Sequence, residues 1–485
     1  MQVDFALHLL TLILFAFYSL ITSIYFLYFY PSFLRGVKKF ENTISDNEFD
    51  EIIANTKDIP TFIVQITTKG GEMGVIIEGL SKLEVALNRL KEIIRSKIII
   101  DILTENPDDL EQLKLSNIRL NCNFYVVPNN YETNNSTKLK ARALHYMINI
   151  REKLSRKNQI NFKNQYIIHF DAESTINYDG LITIIGSVIQ NPHKTIFQGP
   201  IFYTNNWFKS KIYSRQMESL RPWNCYECFS STKNGLPYHL HGSNIVVRAD
   251  IEHDVGWDFG LIKGYPVVAE DLVFGIKAYL KYGKSIFGWH GAKMLEQPAF
   301  TLNDSVKQRV RWIRGSLQSI DLINKWSEYE TSISPNKNLI SLRIRIKLYF
   351  YALGFIPSLI SVFGIFYFAS TITKGAVARN SVSEIYENTS HQTKELIMPM
   401  VPGWLVTISL IGAVMWLISI QIGLYHNIKS SNIGRIQKIR EHIVILLITP
   451  FATLIDTGIA FFTILKWSLG FNKAVWDVTP KLLQT

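Results

Sequence analysis

Residues Gln165–Thr175 read QYIIHFDAEST. Tyr166, Ile167, Ile168 and Phe170 form a short run of β-formers, the pattern of a strand buried in a parallel sheet. The run ends on two carboxylates, Asp171 and Glu173. In open α/β sheets, ligands bind just beyond the carboxyl ends of such strands. Two acids placed there, one residue apart, can share a divalent cation through oxygen ligands. By itself the stretch would equally suit a strand followed by a solvated acidic turn. Its neighbours shift the balance.

Upstream, Thr61–Thr68 (TFIVQITT) predicts a first strand and Lys69-Gly70-Gly71 a turn. Ile76, Leu80, Leu83, Leu87, Leu90 and Ile94 then recur at alternating four- and three-residue steps, an amphipathic helix. Lys97–Thr104 is a second strand, ending at Glu105, and Asn123–Pro128 a third. A helix from about Thr137 carries Leu144, Met147 and Ile148 on one face. Downstream, Thr195–Tyr203 and Ser243–Arg248 read as strands. Between them lies an aromatic stretch with Trp207, Trp223, Tyr226, Phe229 and Tyr238, read as irregular. Ala269-Glu270-Asp271 precedes a helix over Leu272–Tyr282; Ser285–Trp289 is a short strand, and Ser305–Asp321 a helix that opens on QRVRW. This alternation implies an α/β sheet with crossover helices. The absence of GxGxxG and Walker-type loops disfavours the nucleotide folds that carry them.

The chain has 485 residues, 47% of them hydrophobic, and a mean hydropathy of +0.09. That is too apolar for an ordinary soluble protein and too polar for an all-membrane one, so a soluble domain joined to membrane spans fits best. A net charge of +11 points to anionic lipid or phosphate-bearing substrates, since no nucleic-acid module is present. Phe5–Tyr30 is charge-free and long enough to cross a bilayer; Arg35, Lys38 and Lys39 follow it and place the next domain in the cytoplasm. Leu348–Ile372, Gly403–Tyr425 and Ile443–Leu465 are three more apolar runs, and the loop Asn427–Glu441 is basic. The expected organisation is an anchor at 1–31, a catalytic domain with interfacial helices at 32–346, and a C-terminal membrane region at 347–485. Four spans would put both chain termini outside and the loop Thr373–Pro402 outside as well.

Four features occur in order: DAE at Asp171–Glu173, HGSN at His241–Asn244, AED at Ala269–Asp271 and QRVRW at Gln308–Trp312. This order resembles the membrane-integrated family 2 glycosyltransferases, such as cellulose and hyaluronan synthases. Further stretches are similar to the egghead-like β-1,4-mannosyltransferase branch: KLKARALHY (Lys138–Tyr146), QGPIFY (Gln198–Tyr203), VAEDLVFGIKAY (Val268–Tyr279) and FTLNDSVKQRVRWIRG (Phe300–Gly315). The resemblance covers roughly Thr61 to Ile320. It implies a GT-A fold, a Rossmann-like mixed sheet with flanking helices, and about four transmembrane helices. It also implies an inverting transfer of a hexose from a nucleotide sugar, GDP-mannose or a UDP-sugar, to a glycolipid or glycan acceptor at the bilayer. Glu173 stands where the second aspartate of a DxD element would be, and Ala269 where the family has threonine.

A divalent Mg²⁺ or Mn²⁺ on Asp171 and Glu173 would offset the charge developing on a diphosphate leaving group. Lys69, Lys140, Arg309 and Arg311 could donate to the phosphates, with Thr68, Glu105 and Gln308 on the same donor side. Asp271 is the expected general base. His241, Gly242, Ser243, Asn244, Glu270 and Trp312 are expected on the acceptor side, where the indole offers a flat apolar face to a sugar ring. The three cysteines, Cys122, Cys225 and Cys228, make no disulfide framework. Cys225 and Cys228 with His239 and His241 could hold zinc, but the histidines sit closer together than in common zinc pairs. The competing readings are a processive synthase that exports its polymer, a non-catalytic scaffold of the same fold, and a transporter. One charge in the last three spans, and a large soluble insert after the first, disfavour the last.

Overall fold

The computed structural model describes residues 39–116, 118–158, 161–234, 236–237, 239–329, 337–359, 403–429, 433–471 and 480–483, with positions 17, 20, 21, 24, 36 and 362. Its strands are β1 (Thr61–Thr67), β2 (Ile98–Thr104), β3 (Cys122–Val126), β4 (Gln165–Asp171), β5 (Ile196–Gln198), β6 (Ile201–Tyr203), β7 (Ile245–Arg248), β8 (Leu261–Ile262), β9 (Tyr265–Pro266), β10 (Phe287–Trp289) and β11 (Met294–Glu296). Seven of them form one sheet in the order β10-β5-β7-β4-β1-β2-β3. β4 is its middle strand, and Gln165–Phe170 are all buried, which is why the run reads apolar rather than alternating. β1 lies parallel to β4, with Thr67 opposite Asp171, and β2 and β3 continue the parallel half. β7 runs antiparallel to both β4 and β5, so the sheet is mixed, with helices packed on it.

Three local expectations change. Thr195–Tyr203 is two strands, because Gly199 and Pro200 interrupt it and proline has no N–H to give a ladder. β5 stays in the main sheet, whereas β6 pairs with β11. The first amphipathic helix stops at Leu87, and Glu92–Arg95 forms a separate turn. The stretch read as irregular is helical over Ile212–Glu218 and Arg221–Asn234. Pro222 stands in the first turn, where its missing N–H costs nothing. Trp223, Tyr226 and Phe229, with Cys225 and Cys228, are buried at helical spacing. Tyr238 lies outside the described residues.

The Arg221–Asn234 helix ties the sheet to the apolar helices. Trp223 Nε1 donates to the Ser419 carbonyl at 2.7 Å, and Gly423 lies so close to the Ser219 carbonyl that a Cβ would sit 2.2 Å from it. Asn427 continues the edge of β6: its Oδ1 accepts from Tyr203 N at 3.0 Å and its Nδ2 donates to Tyr203 O at 3.2 Å.

Among the described residues, two helices contain stretches long and apolar enough to cross a membrane, at Ile411–Ile428 and Arg435–Ser468. The expected span Phe5–Tyr30, apart from isolated positions, lies outside the described residues, as do residues 360, 361 and 363–372 of the expected span Leu348–Ile372 and the loop Thr373–Pro402. The helix Lys337–Leu353 exposes Leu339, Leu342, Ile346, Tyr349 and Leu353 with Arg343, Arg345 and Lys347 among them.

The Arg435–Ser468 helix is docked on the α/β domain along its length. Glu441 accepts from Trp207 Nε1 and Arg215 Nε at 3.0 and 2.7 Å, Asp456 accepts from Arg309, and Lys263 lies over the Trp467 ring. Residues 480–483 also return to the domain, where Lys481 pairs with Glu173. The expectation that the C-terminus lies on the far side of a membrane from the catalytic domain is therefore corrected. Hydropathy marks an apolar helix, but the pairing that brings Lys481 back to Glu173 has no local signature.

Candidate active site

The site is built where β4 ends. Asp171 closes the strand, and the chain turns at once: Ser174 N donates to the Asp171 carbonyl and Asp171 N to Ser174 Oγ, both at 3.0 Å. Thr175 N then bonds the Leu295 carbonyl at 2.9 Å. The turn fixes Asp171 at the mouth of the cleft, while Glu173 is buried.

Lys140, near the start of the helix Leu139–Asn158, reaches across to Asp171. Its Nζ lies 2.5 Å from Asp171 Oδ1 and 3.8 Å from Glu270 Oε1, and it donates to the Gly242 carbonyl at 3.3 Å. A Cβ at Gly242 would lie 3.5 Å from both Asp271 Oδ2 and Lys140 Nζ, and 3.8 Å from Asp171 Oδ2. Three charged side chains from three elements thus ring one glycine that leaves the space between them open.

Electrostatics separate the two aspartates. Burial would raise the Asp171 pKa, but Lys140, with Lys481 and Arg311, holds it below the usual carboxylate range. Burial and the neighbouring Glu270 carboxylate push Asp271 up to about 7. A carboxyl so placed is far more basic than an exposed one and suits proton abstraction. The helix Glu270–Tyr282 begins at these residues, so the two acids occupy its first turn, where negative charge is favourable.

A second set of acids lies behind Asp171. Glu296, at the end of β11, accepts from Ser174 Oγ at 3.1 Å and from Ser243 Oγ. Burial, then Glu173 and Asp171, push it up to about 7. Glu72 accepts from Thr68 Oγ1 at 3.1 Å, and burial with Glu173 raises it too. Lys481 offsets part of this charge through its ion pair with Glu173. The four carboxylates Glu72, Asp171, Glu173 and Glu296 lie near Lys140 and Lys481, and the upward shifts of Glu72 and Glu296 come first from burial and then from the neighbouring carboxylates. The donor set is hard oxygen, which fits Mg²⁺ or Mn²⁺.

The sequence-derived residues fall into three groups. Asp171, Glu173, Lys140, Gly242, Glu270 and Asp271 come together as described. Arg311 is close enough to Asp171 to lower its pKa, and Gln308 Oε1 is buried with no hydrogen-bond partner among the described residues. Trp312 is half-buried beneath the guanidinium of Arg309 at 4.7 Å and near that of Arg221 at 5.7 Å.

Others are engaged elsewhere. Arg309 is buried and gives its guanidinium to Glu218 at 3.0 Å, Asp456 at 3.1 Å and the Met217 carbonyl at 3.0 Å, so it locks the QRVRW helix to the Arg435–Ser468 helix. Glu105 pairs with Arg142 at 2.7 Å. Asn244, at φ 57°, uses its Nδ2 to clamp the Pro200 and Ala292 carbonyls at 2.8 and 2.9 Å. His241 faces Cys228, and Lys69 is exposed at the turn after β1.

Sequence reasoning missed Glu72, Glu296 and Lys481. Glu72 follows the Gly70-Gly71 turn and Glu296 ends a short strand, placements that could have flagged them. Lys481 had no such signal. Its segment is held by Gln297, which donates to the Leu482 carbonyl at 2.6 Å and accepts from Leu482 N at 2.9 Å. Lys209 donates to the Leu483 carbonyl at 2.9 Å. A cavity of about 480 Å³ lies beside it, lined by Gly71, Glu72, Val75, Lys209, Lys481 and Leu482 among others.

The chain is 26% identical over 329 residues to a protein of Drosophila melanogaster named beta-1,4-mannosyltransferase egh, an alignment covering 60% of this chain and 66% of the fly protein. It is 29% identical over 205 residues to beta-1,4-mannosyltransferase bre-3 of Caenorhabditis elegans, covering 40% of this chain and 41% of the nematode protein. The chain thus spans less than two thirds of the length of either relative. The model of glycosyl transferase family group 2 matches residues 166–420, which run from β4 through the site and into the first long apolar helix, and the chain belongs to that family.

Proposed function

We propose that the protein transfers a hexosyl unit from a nucleotide sugar to a membrane-associated glycolipid or glycan, with inversion at the anomeric carbon. GDP-mannose is the first donor to test, because the relatives named above are mannosyltransferases. The observation that carries the reading is the convergence of Asp171, Lys140 and Asp271 around Gly242.

Asp171 and Glu173 are the residues that would hold a divalent cation, which when bound supplies counter-charge to the departing diphosphate. Lys140 and Arg311 add donors on the same side, and the 480 Å³ cavity beside Glu72 is of the size that small ligands occupy. The Asp271 carboxylate accepts the proton of the acceptor hydroxyl as its oxygen bonds to the anomeric carbon. The bond from that carbon to the diphosphate breaks on the opposite face, and the nucleoside diphosphate leaves. One base and one displacement give one inversion. Trp312 supports the acceptor sugar, and the apolar and interfacial helices bring the cleft to the bilayer surface.

A donor screen tests this. The full chain in detergent, with Mn²⁺ or Mg²⁺, is given GDP-mannose and the common UDP-hexoses together with short-chain glucosyl lipid, and nucleoside diphosphate release is followed. Acceptor-dependent release from GDP-mannose is expected. No release from any donor overturns the proposal, and release from a UDP-sugar alone moves the donor assignment.

A further inference from the structure

Cys225 and Cys228 look like a pair in the sequence, but the structure separates them. The Cys225 sulfur is buried against the backbone of Ile201, 3.4 Å from both its N and its O. Cys228, one turn further along the Arg221–Asn234 helix, turns instead to two histidines. Its Sγ lies 3.0 Å from His239 Nδ1 and 3.3 Å from His241 Nε2, and the three atoms all lie within 4.8 Å of one another. Histidines two residues apart point the same way wherever the chain is extended, and here the two rings are 5.2 Å apart. The spacing that argued against a common zinc pair therefore delivers both rings to one sulfur.

We propose that Cys228, His239 and His241 bind a zinc-class transition-metal ion that fixes the corner leading into Gly242. The chemistry of the donor set selects the ion. One thiolate and two imidazoles suit Zn²⁺, and Co²⁺ as its substitute, whereas the oxygen cluster at Asp171 suits Mg²⁺ or Mn²⁺. With Zn–S near 2.3 Å and Zn–N near 2.05 Å, tetrahedral geometry places sulfur and nitrogen roughly 3.5 Å apart. The two observed sulfur–nitrogen separations, 3.0 and 3.3 Å, lie within about half an ångström of that value. Burial of Cys228 and His241 shields the site from competing ligands. The nearby cations Lys347 and Arg343 are matched by Glu227, at 2.7 and 3.9 Å.

The site ties a helix to a loop that would otherwise meet through weak S–H and N–H contacts. His241 also donates its backbone N–H to Gln198 Oε1 at 2.9 Å, so an ion there would brace β5, the Arg221–Asn234 helix and the Gly242 corner together. The role is positional.

The test is metal content, read apart from activity. The full chain is purified without chelator and its zinc measured by mass spectrometry; about one Zn²⁺ per chain is expected. Cys228→Ser and, independently, His239→Gln should each lower zinc at least tenfold, while Asp171→Asn should keep it. Removal of zinc and addition of Co²⁺ should give a thiolate-to-cobalt charge-transfer band that Cys228→Ser lacks. If Cys228→Ser does not fold, the cobalt band of the parent and its loss in His239→Gln decide. Zinc well below stoichiometry with no cobalt band overturns the proposal, as does zinc lost from Asp171→Asn but kept in His239→Gln.

Discussion

Two buried carboxylate clusters flank β4, and they are wired in opposite ways. Glu252, in the helix Ala249–Val255, is saturated with partners. Arg151 Nη1 lies 2.5 Å away, His169 Nε2 3.1 Å and Trp257 Nε1 3.0 Å. Burial alone would raise its pKa, but Arg151 and His169 overcome that and bring it down to about 2. At the end of the same strand, Asp271 and Glu296 are pushed up to about 7 because burial and neighbouring carboxylates outweigh Lys140 and Arg221. In the first cluster the carboxylate is matched by cationic and N–H partners. The second holds excess negative charge at the mouth of a cleft, an arrangement that stores electrostatic potential for a cation or a proton.

The strongest way to break this contrast is to remove the acid that pairs with Lys140 and on which the cation is proposed to depend. Asp171→Ala is expected to reduce transfer to background and to weaken donor binding, since the diphosphate loses its counter-charge. Retained turnover in excess chelator would show that no divalent cation takes part. Next in size is Asp271→Asn, which keeps the shape but cannot accept a proton. General-base catalysis is worth about 10²–10⁴-fold, so turnover should fall at least about a hundredfold, with donor affinity within about threefold of the parent. Calorimetry paired with single-turnover assays reads both numbers. An α-linked product from an α-linked donor would remove Asp271 from this role.

The complete cluster should fail in the other way. Glu252→Gln leaves the Arg151 guanidinium buried without its counter-ion, and breaking such a pair costs about 3–5 kcal/mol. Thermal and denaturant unfolding should register that loss while turnover per folded molecule stays near the parent's. A drop in turnover at unchanged stability would mean that the two clusters are not separable. The sign of the pH effect follows from the depressed pKa. The stabilisation is present above the ordinary glutamate pKa of 4.5 and is lost as pH falls from there towards about 2. Glu252→Gln should therefore unfold with a flatter acid dependence than the parent over that window.

The smallest expected effect is at Lys481. Lys481→Ala removes the ammonium that offsets Glu173, so donor affinity should fall by about tenfold or less, the range of one hydrogen bond to a charged group. No change in donor affinity would make Lys481 a tether for the C-terminal segment and nothing more.

The sequence alone determined β4, because a central strand buried at six consecutive positions leaves a run dominated by Tyr166, Ile167, Ile168 and Phe170 rather than an alternating one. It also determined the acids at the end of that strand, the AED helix start, the QRVRW helix and the two long apolar helices, each encoded in a window of a few residues to a few turns. The residues gathered around Gly242 were legible as separate motifs, since each sits at the junction of a strand or a helix.

What stayed hidden depends on partners far away along the chain. Arg309 and Arg311 are indistinguishable in QRVRW, yet Arg309 goes to Glu218 and Asp456 while Arg311 acts on Asp171. Glu72, Glu296 and Lys481 joined the site only through the fold. The helix Arg221–Asn234 looked irregular because its buried aromatic residues face both the sheet and the Gly403–Ile428 helix, which blurs the one-sided period that marks a surface helix. Periodicity reports which face of an element is buried. Only the tertiary structure decides which charge meets which, because an ion pair across 308 residues, Lys481 with Glu173, is formed by packing and leaves no local pattern.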